Sequence, residues 1–91
     1  MTIFGYNDLN KLMNMETDFY KDKKVLVAGG AGFIGSNLIL KLLEVGARVR
    51  AADIKEKPQI QDSRIEYLRA DFAKKEDCAK VTEGMDYVFM V

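Results

Sequence analysis

The sequence predicts an α/β fold: a doubly wound parallel sheet, in the element order β-α-β-β-α-β. Three observations carry this. Val25-Leu26-Val27 and Tyr87-Val88-Phe89-Met90-Val91 are apolar runs without polar alternation, as strands covered on both faces require. Segments with helical spacing of apolar residues lie between the strand-like runs. A cluster of glycines, Gly29, Gly30, Gly32 and Gly35, joins the first strand directly to the first helix. Helices alternating with buried strands argue for right-handed crossovers and a parallel sheet.

Residues 1–22 form an amino-terminal extension. Leu9, Leu12 and Met13, with Met15 and Phe19, recur at roughly helical spacing, and Asn7 or Asp8 is a suitable cap, so an appended helix is expected there. Residues 23–91 form the second unit, which carries the predicted sheet. Its first strand runs 24–28. Its first helix runs 33–45, with Ile34, Leu38, Leu42 and Val45 as the buried stripe and Gly46 as the stop. A second strand runs 48–54 and reaches Asp53 near its end. A polar connection, 55–63, holds the only proline, Pro58. A third strand spans 64–70 around Ile65, Tyr67 and Leu68, and Asp71-Phe72 closes it. A shorter helix spans 73–83, with Cys78 and Val81 inward and Gly84 at its end. The fourth strand spans 86–91. The chain stops inside that strand, so the amino-terminal portion of a longer protein is expected. Produced alone, such a portion is expected to expose an uncovered edge and apolar faces around Val88, Phe89 and Met90.

Composition narrows the function classes. The chain has 91 residues, 48% of them apolar, and no net formal charge. Charges of both signs are interspersed, which gives no electrostatic footprint for nucleic acid or an anionic membrane. The apolar runs are too short to span a bilayer, and polar residues interrupt the amino-terminal segment, so neither a membrane span nor a secretory signal is expected. A single cysteine, Cys78, suits a reducing cytoplasm and is expected to be inert in the core. With no histidine and no cysteine cluster, no zinc site is expected.

The glycine cluster carries the chemistry. Gly30, Gly32 and Gly35 fit G-x-G-x-x-G, and Gly29, Gly32 and Gly35 fit G-x-x-G-x-x-G; both share Gly32 and Gly35. At Gly32 the missing Cβ lets a pyrophosphate approach the backbone. At Gly35 it lets the helix lie against the strand. The unpaired N–H groups at the helix start, around Phe33, Ile34 and Gly35, then face the anion with the positive end of the helix dipole. The competing nucleoside-triphosphate loop needs a lysine after its last glycine; Ser36 and Asn37 stand there instead. Asp53, eighteen residues after Gly35, is placed to accept hydrogen bonds from both hydroxyls of an adenosine ribose, and it would repel the extra phosphate of NADP. Lys55 and Lys57 nearby soften that preference, so NAD is favoured over NADP. Asp71 and Phe72 end a strand on the same sheet edge, where a carboxylate and a backbone group can meet adenine. The expected cofactor-binding set is Gly29, Gly32, Phe33, Ile34, Gly35, Asp53, Ile54, Asp71 and Phe72, with no catalytic residue and no metal ligand among them.

The run Ala28-Gly29-Gly30-Ala31-Gly32-Phe33-Ile34-Gly35-Ser36-Asn37-Leu38 resembles the nucleotide-binding signature of the extended short-chain dehydrogenase/reductase family. Within it the sequence is most similar to NAD-dependent nucleotide-sugar epimerases and dehydratases. The likeness covers residues 23–91 and includes Asp53, Asp71-Phe72 and the last strand. The stretch 77–89 also resembles GDP-mannose 3,5-epimerases. Ala28 departs from the family, which usually has threonine there. The resemblance implies a Rossmann-type sheet and hydride removal to NAD⁺, with a keto-sugar intermediate and hydride return. It also implies a nucleotide-sugar substrate held by a further lobe, a homodimer, and a Tyr-x-x-x-Lys proton-transfer pair downstream of the fourth strand. Tyr20 and Lys24 have that spacing but precede the first strand, with Lys24 already inside it. Two alternatives stay open: a dinucleotide-sensing module without catalysis, and a dehydrogenase of steroids or small carbonyl compounds.

Overall fold

The computed structural model describes residues 2–4, 20–30, 32–54 and 62–91. Among these residues five parallel strands and two helices follow in the order β1 (Thr2–Phe4), β2 (Lys24–Ala28), α1 (Phe33–Glu44), β3 (Arg48–Asp53), β4 (Ile65–Arg69), α2 (Lys75–Thr82) and β5 (Tyr87–Met90). The sheet order is β1-β5-β2-β3-β4. The chain moves outward from β2 through β3 to β4, then crosses back by α2 and places β5 on the other side of β2. The strand order therefore reverses at β2, the switch point beside which doubly wound sheets bind ligands.

Alternation along the strands builds one core on each face. Val25, Val27, Val49, Ala51, Ile65 and Phe89 turn to one side, where Leu38, Ile39, Leu42 and Leu43 of α1 cover them. Leu26, Ala52 and Val88 turn to the other, where Val81 of α2 covers them. In β2 and the middle of β5 both faces are buried, which is why Val25-Leu26-Val27 and Val88-Phe89 read as unbroken apolar runs.

The helix ends follow from local chemistry. Gly46 takes φ +86°. Its N–H bonds the Leu43 carbonyl at 3.1 Å, and Ala47 N–H bonds that of Leu42 at 3.0 Å, a Schellman closure that satisfies the last carbonyls of α1. At the end of α2, Arg50 reaches across from β3. Its Nη1 donates to the carbonyls of Val81 and Glu83, both at 2.9 Å, while Nε pairs with Glu66 of β4. One guanidinium thus ties α2 to both strands beneath it.

The structure corrects the sequence reading at some points and adds to it at others. The buried stripe of α1 is rotated: Gly35, Ser36, Leu38, Ile39, Leu42 and Leu43 face inward, while Ile34 is 37% exposed and Val45 is half-buried at the cap. At 100° per residue, Ile34 and Val45 lie at the margin of the stripe that the sheet covers. Tyr20, in the extension, is buried; its ring meets that of Tyr87 edge-on, centroids 5.5 Å apart, and lies near Phe89. The extension also supplies a strand, since Thr2–Phe4 pairs with β5 in the register Thr2↔Tyr87, Ile3↔Val88, Phe4↔Phe89. Three residues show no periodicity, and their pairing is with a segment more than eighty positions away. The edge of β5 expected to be uncovered is therefore paired, and Val88 and Phe89 are buried; Met90 and Val91 remain exposed. The helix expected over residues 9–19 and the connection around Pro58, with Lys55 and Lys57, lie outside the described residues. Among the described residues no helix is long and apolar enough to cross a membrane.

Candidate functional site

The turn between β2 and α1 sits at the carboxyl edge of the sheet, beside the switch point. Gly29 takes φ +89°, and a Cβ there would lie 2.9 Å from the Val91 carbonyl oxygen, so both backbone conformation and space require glycine. Gly29 and Gly30 N–H both point to the Ala52 carbonyl, at 2.8 and 3.4 Å, which anchors the turn to β3. A Cβ on Gly35 would collide with the Gly29 carbonyl oxygen and come within 2.8 Å of Gly30 Cα. The first turn of α1 is pressed onto the glycine turn itself.

Gly32 is different. Its backbone, φ −82° and ψ 176°, is extended and open to any residue, and an added Cβ would meet nothing nearer than the Gly29 carbonyl oxygen at 3.8 Å. No contact within the described chain requires glycine at this position. It caps a helix start with no side-chain cap and no acidic residue in the first turn. Ser36 N–H bonds the Gly32 carbonyl at 2.9 Å, yet no described residue accepts from the backbone N–H of Phe33 or Ile34. The start of α2 contrasts with this. Glu76 and Asp77 occupy its first turn, and Asp77 Oδ2 accepts from Asp71 N–H at 2.9 Å, so that helix end carries its own negative charge. Of the two described helices, α1 is the one whose amino end is open to an outside anion.

A groove of about 320 Å³ runs along the same edge. Of the expected residues, Gly29, Asp53, Ile54, Asp71 and Phe72 line it together with Ala28, Ala70, Ala73, Met90 and Val91. Gly32, Phe33, Ile34 and Gly35 are not among its lining residues; Gly32 is tied to the lining residue Gly29 by its N–H bond to the Gly29 carbonyl at 3.4 Å. Asp53 ends β3, and its carbonyl accepts from Ala70 N–H at 3.0 Å, which joins the β3 and β4 ends of the groove. Asp71 folds back on its own turn, Oδ1 accepting from Ala73 N–H at 3.0 Å. Phe72 packs on the core face under α2, and its carbonyl accepts from the thiol of Cys78 at 3.2 Å. Cys78 is half-buried against this turn rather than deep in the core. Met90 and Val91 escaped the sequence reading, although their place at the end of the strand next to β2 was a usable signal. Ile54 is 57% exposed and Phe33 is 75% exposed at this edge.

Tyr20 and Lys24 form no proton-transfer pair here. Tyr20 is 3% exposed in the core, and Lys24 opens β2 at the opposite edge of the sheet. That opposite edge holds a larger groove, about 420 Å³, lined by Lys24, Arg48, Arg50, Arg64, Glu66 and Glu83 among others. Four cationic and two acidic side chains line it, and Arg50 already satisfies the Val81 and Glu83 carbonyls at the end of α2. Among the described residues no group of three or more His, Cys, Asp or Glu is placed to hold a metal ion.

A parallel sheet reversing beside a glycine turn, with a bare helix start and an acidic residue ending the next strand, defines a Rossmann-type domain of the extended short-chain dehydrogenase/reductase class. The chain belongs to the 3-beta hydroxysteroid dehydrogenase/isomerase family, whose model matches residues 26–91. It is 38% identical over 66 residues to a 3 beta-hydroxysteroid dehydrogenase/Delta 5→4-isomerase of Mycobacterium tuberculosis, covering 72% of this chain and 18% of that protein. It is 35% identical over 68 residues to the GDP-mannose 3,5-epimerase of Arabidopsis thaliana, covering 72% and 18%. Among solved structures it is similar to the Bordetella bronchiseptica enzyme WbmF in complex with NAD⁺ and UDP. There the TM-score is 0.71 at 28% identity, with 82% of this chain and 24% of that chain covered. The chain thus spans about a fifth of the length of these curated relatives.

Proposed function

We propose that this chain binds the adenosine diphosphate half of NAD and serves as the cofactor-holding part of an NAD-dependent epimerase or dehydrogenase. The observation that carries the reading is Gly32: a glycine that no contact among the described residues requires, at the start of a helix with free N–H groups and no acidic residue. A dinucleotide fits these residues. The Phe33 and Ile34 N–H groups would receive the pyrophosphate, Gly32 would leave it room, and Asp53 would take the ribose hydroxyls. Ile54 and the turn Asp71-Phe72 would border the base. Asp53 would disfavour the added phosphate of NADP, so NAD is the preferred form. When bound, NAD supplies a hydride acceptor and donor at a carbon bearing a hydroxyl group. The chain's own part is to hold and orient that cofactor through its adenosine end.

The substrate follows as a finer proposal. A nucleotide sugar is supported by the similarity to a GDP-mannose epimerase and to an enzyme solved with NAD⁺ and UDP. A 3-hydroxysteroid is the second reading, favoured by the family match and by the mycobacterial relative. Both require hydride transfer at a secondary alcohol. A dimer and a proton-transfer pair beyond Val91 belong to the same proposal. Titrating NAD⁺ into the ¹⁵N-labelled chain tests the core of it. The amides of Phe33, Ile34 and Gly35 should shift, ADP should reproduce most of the shift, and NADP⁺ should act more weakly. Saturating NAD⁺ that moves none of them refutes the reading.

A further inference from the structure

Alternation along the strands places charges where α2 does not reach. Arg50 stands opposite Leu26, Glu66 opposite Arg50, and Lys24 opposite Arg48, so these four charged residues share the sheet face of Leu26 and Ala52. The helix on that face, α2, has only eight residues, about 12 Å of length. Its Val81 covers Leu26, Ala52 and Val88. The starts of β2, β3 and β4 lie beyond it, and the 420 Å³ groove opens there.

The strand starts bring like charges side by side. Val49 pairs with Ile65, so Arg64 stands next to Arg48 on one side as Lys24 does on the other. The three cations form a row across neighbouring strands, about 10 Å from end to end. Arg64 is held by the Asp62 carboxylate, at 3.0 and 2.7 Å. Further along the face, Arg50 meets Glu66 and donates to two carbonyls. Lys24 and Arg48 have no such partner: both are exposed, and no carboxylate among the described residues pairs with either side chain. Like charges directly opposite each other in a sheet are destabilising, and an outside anion between them removes that repulsion.

The groove also selects the class of anion. A compact phosphate is held by converging backbone N–H groups. Here those amides are already used: Lys24 N–H bonds Asp86 Oδ2 at 2.9 Å, Arg48 N–H the Lys23 carbonyl at 2.8 Å, and Arg64 N–H Asp62 Oδ1 at 2.8 Å. Glu66 and Glu83 in the groove wall oppose a polyanion as extended as a nucleic acid or a lipid surface. Carboxylates two residues apart in an extended peptide lie on one side, about 7 Å from each other, a separation that fits within the row. We propose that this groove docks an extended acidic segment of a partner protein, with carboxylates at alternate positions, laid across the starts of β2, β3 and β4. The groove lies at the opposite edge of the sheet from the glycine turn, so the two are occupied independently.

The test titrates the ¹⁵N-labelled full chain with the end-blocked peptide Gly-Glu-Gly-Glu-Gly and with its glutamine counterpart. The glutamate peptide should shift the amides of Lys24, Arg48 and Arg64 and leave those of Phe33 and Gly35 in place, and the glutamine peptide should move none of them. Raising salt from about 0.05 to 0.5 M should weaken binding. Lys24→Gln and Arg48→Gln should each weaken it about two- to fivefold. Lys80→Gln removes the same charge from the exposed side of α2 and should bind like the unaltered chain. The proposal fails if the glutamate peptide moves none of the three amides, if the glutamine peptide binds as well, or if Lys80→Gln weakens binding as much as Arg48→Gln. It also fails if inorganic phosphate, a DNA duplex or phosphatidylserine vesicles move the Lys24 and Arg48 amides at a lower concentration than the peptide does.

Discussion

Replacing Gly32 with valine separates folding from binding. The native backbone there is extended, φ −82° and ψ 176°, a region that valine favours, and the nearest atom to an added Cβ is 3.8 Å away. The folding cost is limited to the weaker capping of α1, about 0.5–1 kcal/mol. For a domain of this size that lowers Tm by roughly 2–8 °C. Binding should suffer far more. The branched side chain fills the space in front of the Phe33 and Ile34 amides, and a charge-assisted hydrogen bond is worth about 1.5–3 kcal/mol. Losing two weakens NAD⁺ binding by about 3–6 kcal/mol, roughly two to four orders of magnitude in Kd. Thermal unfolding reads the first quantity, and calorimetry or amide shifts the second. Gly35→Ala is the counterpart. Its methyl would collide with the Gly29 carbonyl, so stability falls by about 1–3 kcal/mol, partly offset by about 1 kcal/mol of helix propensity. A folded Gly32→Val chain with unchanged NAD⁺ affinity would refute the reasoning.

Asp53→Ala should narrow the gap between NAD⁺ and NADP⁺ affinity, because the carboxylate that repels the extra phosphate is gone; an unmoved ratio would make Asp53 a surface carboxylate. Arg50→Met keeps the apolar stem but leaves the Val81 and Glu83 carbonyls without their donor, and urea unfolding should show a loss of about 2 kcal/mol with NAD⁺-induced shifts retained. Less than about 0.5 kcal/mol would mean that water replaces the guanidinium there. The Asp62 carboxyl is held at about 2, against 3.8 for a free one, by hydrogen bonds from the Arg64 side chain and backbone. Its stabilising contribution is present above 3.8 and is lost as pH falls through about 2; in Arg64→Gln the carboxyl signal should titrate closer to 3.8 by NMR.

The class of the fold and the identity of the glycine turn could be read from local signals. Val25-Leu26-Val27, the glycines that follow and Asp53 at a strand end each impose their constraint within a few residues, and those constraints agree with one another. The boundaries of β2, β3, β4 and β5 came out within a residue or two for the same reason. What remained hidden depends on contacts between distant segments. Thr2–Phe4 is a strand because it pairs with β5, not because three residues prefer extension. Tyr20 has the spacing of a catalytic tyrosine but is buried, since the turn before β2 presses its ring onto Tyr87 and Phe89. The two glycines shared by both motif readings differ for a reason that one dimension cannot express. Gly35 is pressed against the backbone of Gly29 and Gly30, whereas Gly32 faces open space, and only the packing of α1 on the turn between β2 and α1 tells one demand from the other.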